Sequence, residues 1–110
     1  MKLLTIVIGL LLLTASVRAD DFFVLKIEPI LKARCFECHG SEAKKLKGGL
    51  SLATRADVLR GGDSGAAIVP GKPEESLLIK AINYVEFEMP PKSRLPEGEV
   101  AILTEWVKRG

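Results

Sequence analysis

The sequence predicts an all-α domain of about four helices joined by long loops. Three observations lead there. Apolar residues recur at helical spacing in separate stretches of the chain. No stretch alternates apolar and polar residues convincingly enough to read as a strand. The loops between the helical stretches are long for so short a chain, which calls for some additional group to organise them.

Residues 1–19 stand apart from that domain. Lys2 precedes an apolar run, Leu3–Leu13, and Val17-Arg18-Ala19 sets small residues one and three positions before a cut ahead of Asp20. This is the pattern of a cleaved export signal. The run falls short of the roughly 20 apolar residues a bilayer span requires, so no stable membrane span is expected after cleavage; an uncleaved anchor is the alternative. The domain proper is then 20–110, bound for the periplasm or the cell exterior. Lys2 and Arg18 leave with the signal, so 14 bases face 14 acids. A chain without basic excess is a poor nucleic-acid binder.

Within 20–110 the first helix rests on Phe23, Ile27, Ile30 and Leu31, with Asp20 or Asp21 as N-cap. Pro29 predicts a kink, or a fresh start with proline in the first turn. Residues 40–50 read as loop, with Leu50 and Leu52 pinned inward. Thr54 and Asp57 form a capping box for a short helix that Gly61-Gly62 ends. The run GGDSGAAIVPG (61–71) is a glycine-rich loop. Pro73 opens a third helix, with Glu74 and Glu75 in its first turn and Leu77, Leu78, Ala81 and Ile82 on its apolar face. Residues 83–95 are irregular, since Pro90 and Pro91 forbid regular structure after Met89. Pro96 opens the last helix, whose stripe is Val100, Leu103, Trp106 and Val107.

The chemistry concentrates in CFECH, residues 35–39, which holds both cysteines and the sole histidine. A redox dithiol belongs at a strand-to-helix junction, and here a helix precedes the motif. A structural zinc needs four ligands, one more than Cys35, Cys38 and His39 supply. A Cys35–Cys38 disulfide closes too small a loop to stabilise much. Covalent haem attachment is the remaining reading, for which C-x-x-C-H is the signature. Two thiols three residues apart can join one porphyrin, with His39 as proximal iron ligand. Export agrees with it, because haem of this type is attached outside the cytoplasm.

Apart from Met1 the chain has one methionine, Met89, in EMPPKSRLP. Pro90 biases it toward an extended conformation and Pro91 stiffens the segment, as suits a thioether held on iron. A core-filling methionine is the competing reading, and lysine or water are the other occupants of the sixth position.

With these pieces in place, the chain resembles the planctomycete-type cytochrome c domain, a class I-like c-type cytochrome module. The resemblance runs through FFVLKIEPILKARCFECHG, GGLSLATRADVLRGGDSGAAIVPGKPEESLLIKAI, EMPP and AILTEWVKRG. It implies a small cytochrome c-like fold whose first and last helices cross. It further implies thioethers at Cys35 and Cys38 and axial ligation of one haem c iron by His39 and Met89. Two departures stand out. Leu95 replaces the usual Ser or Thr cap of the last helix. KGGLSL stands where a Gly-Pro normally supplies the carbonyl that orients the histidine, so the acceptor for His39 has no identifiable residue. In that family the module typically fronts a longer secreted protein, so 20–110 is expected to be such a module or a shortened product.

Other features have plainer readings. The glycine-rich loop fails as a phosphate-binding loop: five residues separate Gly65 from Gly71 where four are needed, and Pro73 stands at the Ser/Thr position. It is expected to wrap a haem edge. Lys44, Lys45 and Lys47 form a solvated loop or a docking patch for an acidic redox partner. Lys92 and Arg94 are surface charges or propionate partners. Trp106 is expected in the core. The functional expectation is a one-electron carrier with both axial positions filled, and hence no enzyme. The alternative is a haem module with a sensory or structural role in a larger secreted protein.

Overall fold

The computed structural model describes residues 19–110 and Gly9; the export signal expected at 1–19 lies outside the described residues apart from Gly9 and Ala19. Helix α1 (Ala19–Phe22) passes without a break through a π-helical segment (Phe23–Ile27) into α2 (Glu28–Arg34). Pro29 accounts for the widening. It has no N–H to donate and its ring crowds the carbonyl one turn back. The Glu28 N–H reaches the Phe23 carbonyl, five residues away, and α2 restarts with Pro29 in its first turn. The predicted kink is thus a π-bulge. Asp20 and Asp21 lie inside the helix rather than capping it.

A one-turn helix, α3 (Phe36–His39), follows directly. Helix α4 (Arg55–Arg60) begins as the capping signal requires: the Asp57 N–H donates to Thr54 Oγ1 at 3.1 Å. The reciprocal half of the box is absent, because the Asp57 carboxylate accepts from Ser51 Oγ and from Arg60. The Ser51 bond foremost holds that carboxyl below the usual carboxylate range. Gly61 ends α4 with φ +74°, and a Cβ there would fall 1.9 Å from the Gly65 carbonyl oxygen, so only glycine fits.

The third expected helix divides. A 3-10 turn (Pro73–Glu75) is separated from α5 (Leu77–Ile82) by Ser76, which is extended at φ −87°, ψ 125°. Ser76 is fully buried. Its hydroxyl donates to the Lys72 carbonyl and accepts the Val69 N–H, each at 2.9 Å, so side-chain bonding outcompetes helix continuation. Helix α6 (Glu97–Arg109) starts at Pro96 with no side-chain cap. Leu95 and Val100 occupy the two positions of a hydrophobic staple and both join the core, which fixes the entry that the missing Ser or Thr would have fixed.

Helix α6 packs antiparallel to the first helix. Arg109 lies over the Phe22 ring at 4.0 Å, the Phe23 and Trp106 rings meet at 5.6 Å, and Arg34 forks onto Glu99 at 3.0 and 3.2 Å. Ile27, Leu31, Val58, Leu103 and Val107 form the most deeply buried part of the core, and Trp106 joins it as expected. The described residues form no strand; Gly62 and Gly65 make an isolated bridge. The glycine-rich loop is laced into the core by bonds from the Ala67 N–H to the Val58 carbonyl (3.1 Å) and from the Leu78 N–H to the Ala67 carbonyl (2.8 Å).

Candidate functional site

Cys35 sits between α2 and α3 with φ −123° and ψ −30°, off the helical path, yet its N–H still bonds the Leu31 carbonyl at 2.8 Å. Its own carbonyl accepts the N–H groups of Cys38 (3.2 Å) and His39 (2.9 Å). The motif is therefore one hydrogen-bonded turn hung from the end of α2, and Cys35, Cys38 and His39 all stand on it. Both thiols are free and half-buried. Burial pushes the Cys35 thiol up to about 11; the Glu99 carboxylate adds to the effect and Arg34 opposes it. Among the described residues no three His, Cys, Asp or Glu side chains converge to hold a metal ion.

The His39 ring is fixed by a neighbour the sequence could not identify. Its Nδ1 lies 2.9 Å from the Leu50 carbonyl oxygen. A carbonyl only accepts, so Nδ1 carries the proton and a neutral ring keeps its lone pair on Nε2. The Leu52 N–H donates to the His39 carbonyl at 2.7 Å, so the segment around Leu50 grips both ring and backbone. That segment is itself bolted down: the Asp63 N–H donates to the Gly48 carbonyl at 2.8 Å, and Gly62 passes close enough that a Cβ would meet Gly48 O at 2.4 Å. The acceptor thus lies within KGGLSL. The one available hint was the inward placement of Leu50 and Leu52, which holds: Leu52 is buried and Leu50 half-buried.

Met89 arrives from elsewhere. It is half-buried in the loop after α5, its N–H donates to the Ala81 carbonyl at 3.1 Å, and the Met89–Pro90 peptide is cis. No hydrogen bond links it to the CFECH turn among the described residues. Tyr84 Oη donates to the Pro90 carbonyl, and the Arg94 guanidinium stacks on the Tyr84 ring at 4.9 Å. Arg94 is therefore engaged by Tyr84, a partnership the sequence reading missed. Lys44, Lys45, Lys47 and Lys92 are exposed. A cleft of about 650 Å³ flanks α3, with Lys32, Phe36 and Glu37 in its wall. A second, of about 210 Å³, has Ile82, Arg94 and Val100 in its wall, and neither cleft is lined by His39 or Met89.

The donor set fits a haem of the c type. Two unpaired thiols and an imidazole with Nε2 left free stand on one turn, with a single thioether on a separate, proline-stiffened loop. A family model described as planctomycete cytochrome C matches residues 35–93, more than half of the chain, from the first cysteine of the motif past Met89. Comparison with curated proteins and with solved structures finds no match.

Proposed function

Since this chain belongs to the planctomycete cytochrome c family, we propose that residues 20–110 are an exported domain that holds one covalent haem and passes single electrons. Cys35 and Cys38 would hold the group through thioethers, with His39 Nε2 and Met89 Sδ as the axial donors. When bound, haem supplies an iron that cycles between ferrous and ferric states. The observation that carries the reading is the Nδ1–H bond of His39 to the Leu50 carbonyl. It selects the tautomer, fixes the ring plane and makes Nε2 a better donor, which is how an outer partner tunes a metal ligand.

The remaining residues would keep water from the group and leave it accessible to a partner. Ligation by the Met89 thioether together with His39 would raise the haem potential and favour electron transfer over turnover. Val85 and Phe87, 53% and 40% exposed in the loop that carries Met89, would offer an apolar contact to a redox partner, and the exposed Lys44, Lys45 and Lys47 a basic one to an acidic partner. Passage to the periplasm or cell exterior would rest on residues 1–19.

The test is expression of the full chain in a host competent for c-type maturation, followed by intact mass and a reduced-minus-oxidised spectrum. One haem added to the mass of residues 20–110, surviving acid–acetone extraction, is the expected result. A colourless product with the mass of the bare polypeptide would overturn the proposal.

A further inference from the structure

Helix α5 ends in a Schellman arrangement. The Tyr84 N–H donates to the Ala81 carbonyl at 3.1 Å and the Val85 N–H to the Lys80 carbonyl at 2.9 Å, with Tyr84 at the left-handed position, φ +61°. Glycine normally takes that place, because a Cβ is unfavourable there. Among the described residues only Tyr84 and Glu86 are non-glycine residues with positive φ, and both lie in the loop that carries Met89. Such conformations persist only where surrounding contacts impose them, and they mark functional segments. For Tyr84 two contacts do so. Its hydroxyl donates to the carbonyl of Pro90, the residue directly after Met89, and Arg94 caps its ring. The Ala81 carbonyl that receives the Tyr84 N–H also receives the Met89 N–H, so the two residues start from one anchor.

We propose that Tyr84 is a positioning residue for Met89: its hydroxyl on the Pro90 carbonyl and its ring under Arg94 latch the loop that offers the thioether to iron. The inference rests on Met89 being the axial donor. It explains why a tyrosine occupies a position where glycine would suit the helix end better. The side chain reaches from the end of α5 across to Pro90 and shortens the free loop between Ala81 and the thioether.

The test is displacement of Met89 by imidazole from the ferric, haem-loaded protein, read from the thioether–iron charge-transfer band. Tyr84→Phe keeps the ring and removes the hydroxyl; it is expected to raise imidazole affinity about fivefold, the weight of one side-chain hydrogen bond. Tyr84→Gly is expected to raise it further while leaving the thermal midpoint unchanged or higher, since relief of the Cβ penalty at the left-handed position offsets the lost contacts. In a Met89→Ala background, Tyr84→Phe is expected to have no effect on imidazole binding. If Met89→Ala raises imidazole affinity and Tyr84→Phe leaves it within twofold of wild type, the latch is wrong while the ligand assignment stands. If Met89→Ala itself changes nothing, the ligand assignment fails and the latch with it.

Discussion

Substituting Gly62 by alanine tests whether the His39 ring is held mechanically from the glycine-rich loop. A Cβ on Gly62 would lie 2.4 Å from the Gly48 carbonyl oxygen and 3.0 Å from Leu50. The first distance is ~1 Å inside ordinary contact, and the obstacle is backbone rather than a flexible side-chain end. Gly62 is not among the glycines with positive φ, so the change adds a clash without a torsional penalty. The segment 46–50 must retreat, against the bond from the Asp63 N–H that holds it. A retreat of ~1 Å carried to Leu50 opens its 2.9 Å bond to His39 Nδ1 past ~3.6 Å, where no hydrogen bond remains. Overpacking of this kind costs about 1–3 kcal/mol, readable as a lower urea midpoint at unchanged slope. The released imidazole is a weaker donor through Nε2, so the reduction potential of the loaded protein is expected to rise. A Gly62→Ala protein that is destabilised yet keeps the wild-type potential would refute the mechanical link to His39. One with wild-type stability would refute the clash itself.

Ser76→Ala removes a fully buried hydroxyl that bonds Lys72 and Val69; a loss of about 1–3 kcal/mol in chemical denaturation is expected, and an unchanged midpoint would contradict the account of the break before α5. In haem-free protein the Cys35 thiol, raised from an ordinary 9.0 to about 11, should alkylate roughly 100-fold more slowly than an exposed thiol below pH ~9. Between the ordinary 9.0 and about 11 the folded state keeps a proton that the unfolded chain releases. The stability it contributes is complete below the ordinary thiol value and is lost as pH rises from there through about 11. Urea midpoints of haem-free protein that rose between those values would contradict the assignment. Arg34→Met cuts the fork onto Glu99 that ties α2 to α6. A drop of a few degrees in Tm is expected at low salt, shrinking in molar salt because the pair lies at the surface within reach of screening ions; a drop that salt does not reduce would mean that lost packing dominates.

What the sequence made legible was whatever depends on side-chain pattern. The stripe of α6, the Thr54 cap and the stop at Gly61 all follow from local rules, and so does the gathering of Cys35, Cys38 and His39 on one turn. What it hid depends on where backbone atoms end up. The acceptor for His39 is a carbonyl, and every residue has one, so nothing in KGGLSL distinguishes Leu50. The break at Ser76 was hidden because Pro73, Glu74 and Glu75 make a sound helix start; only burial of the hydroxyl against Lys72 and Val69 decides otherwise. Tyr84 was invisible for a third reason: the local rule assigns a left-handed helix end to Gly or Asn, and a tyrosine there is chosen by a contact six residues away.

The long loops that made so small a domain look under-organised have an explanation in how they are fastened. Neither the segment bearing Leu50 nor the one bearing Met89 belongs to a long helix, yet each is pinned by backbone bonds at defined points: Asp63 to Gly48 and Leu52 to His39 on one side, Met89 and Tyr84 to Ala81 on the other. On the proposed reading the imidazole and the thioether would reach one flat group from separate parts of the chain, His39 from α3 and Met89 from the loop after α5. The segments that fasten them serve that end only if they are stiff. Stiffness would also suit the proposed electron transfer, because a carrier loses rate to every rearrangement that accompanies its change of charge, and preorganised ligands avoid it. Glycines that permit close backbone contact and prolines that remove freedom are therefore concentrated in the loops. The helices, α6 antiparallel to the first, supply the fixed core against which both loops are tied.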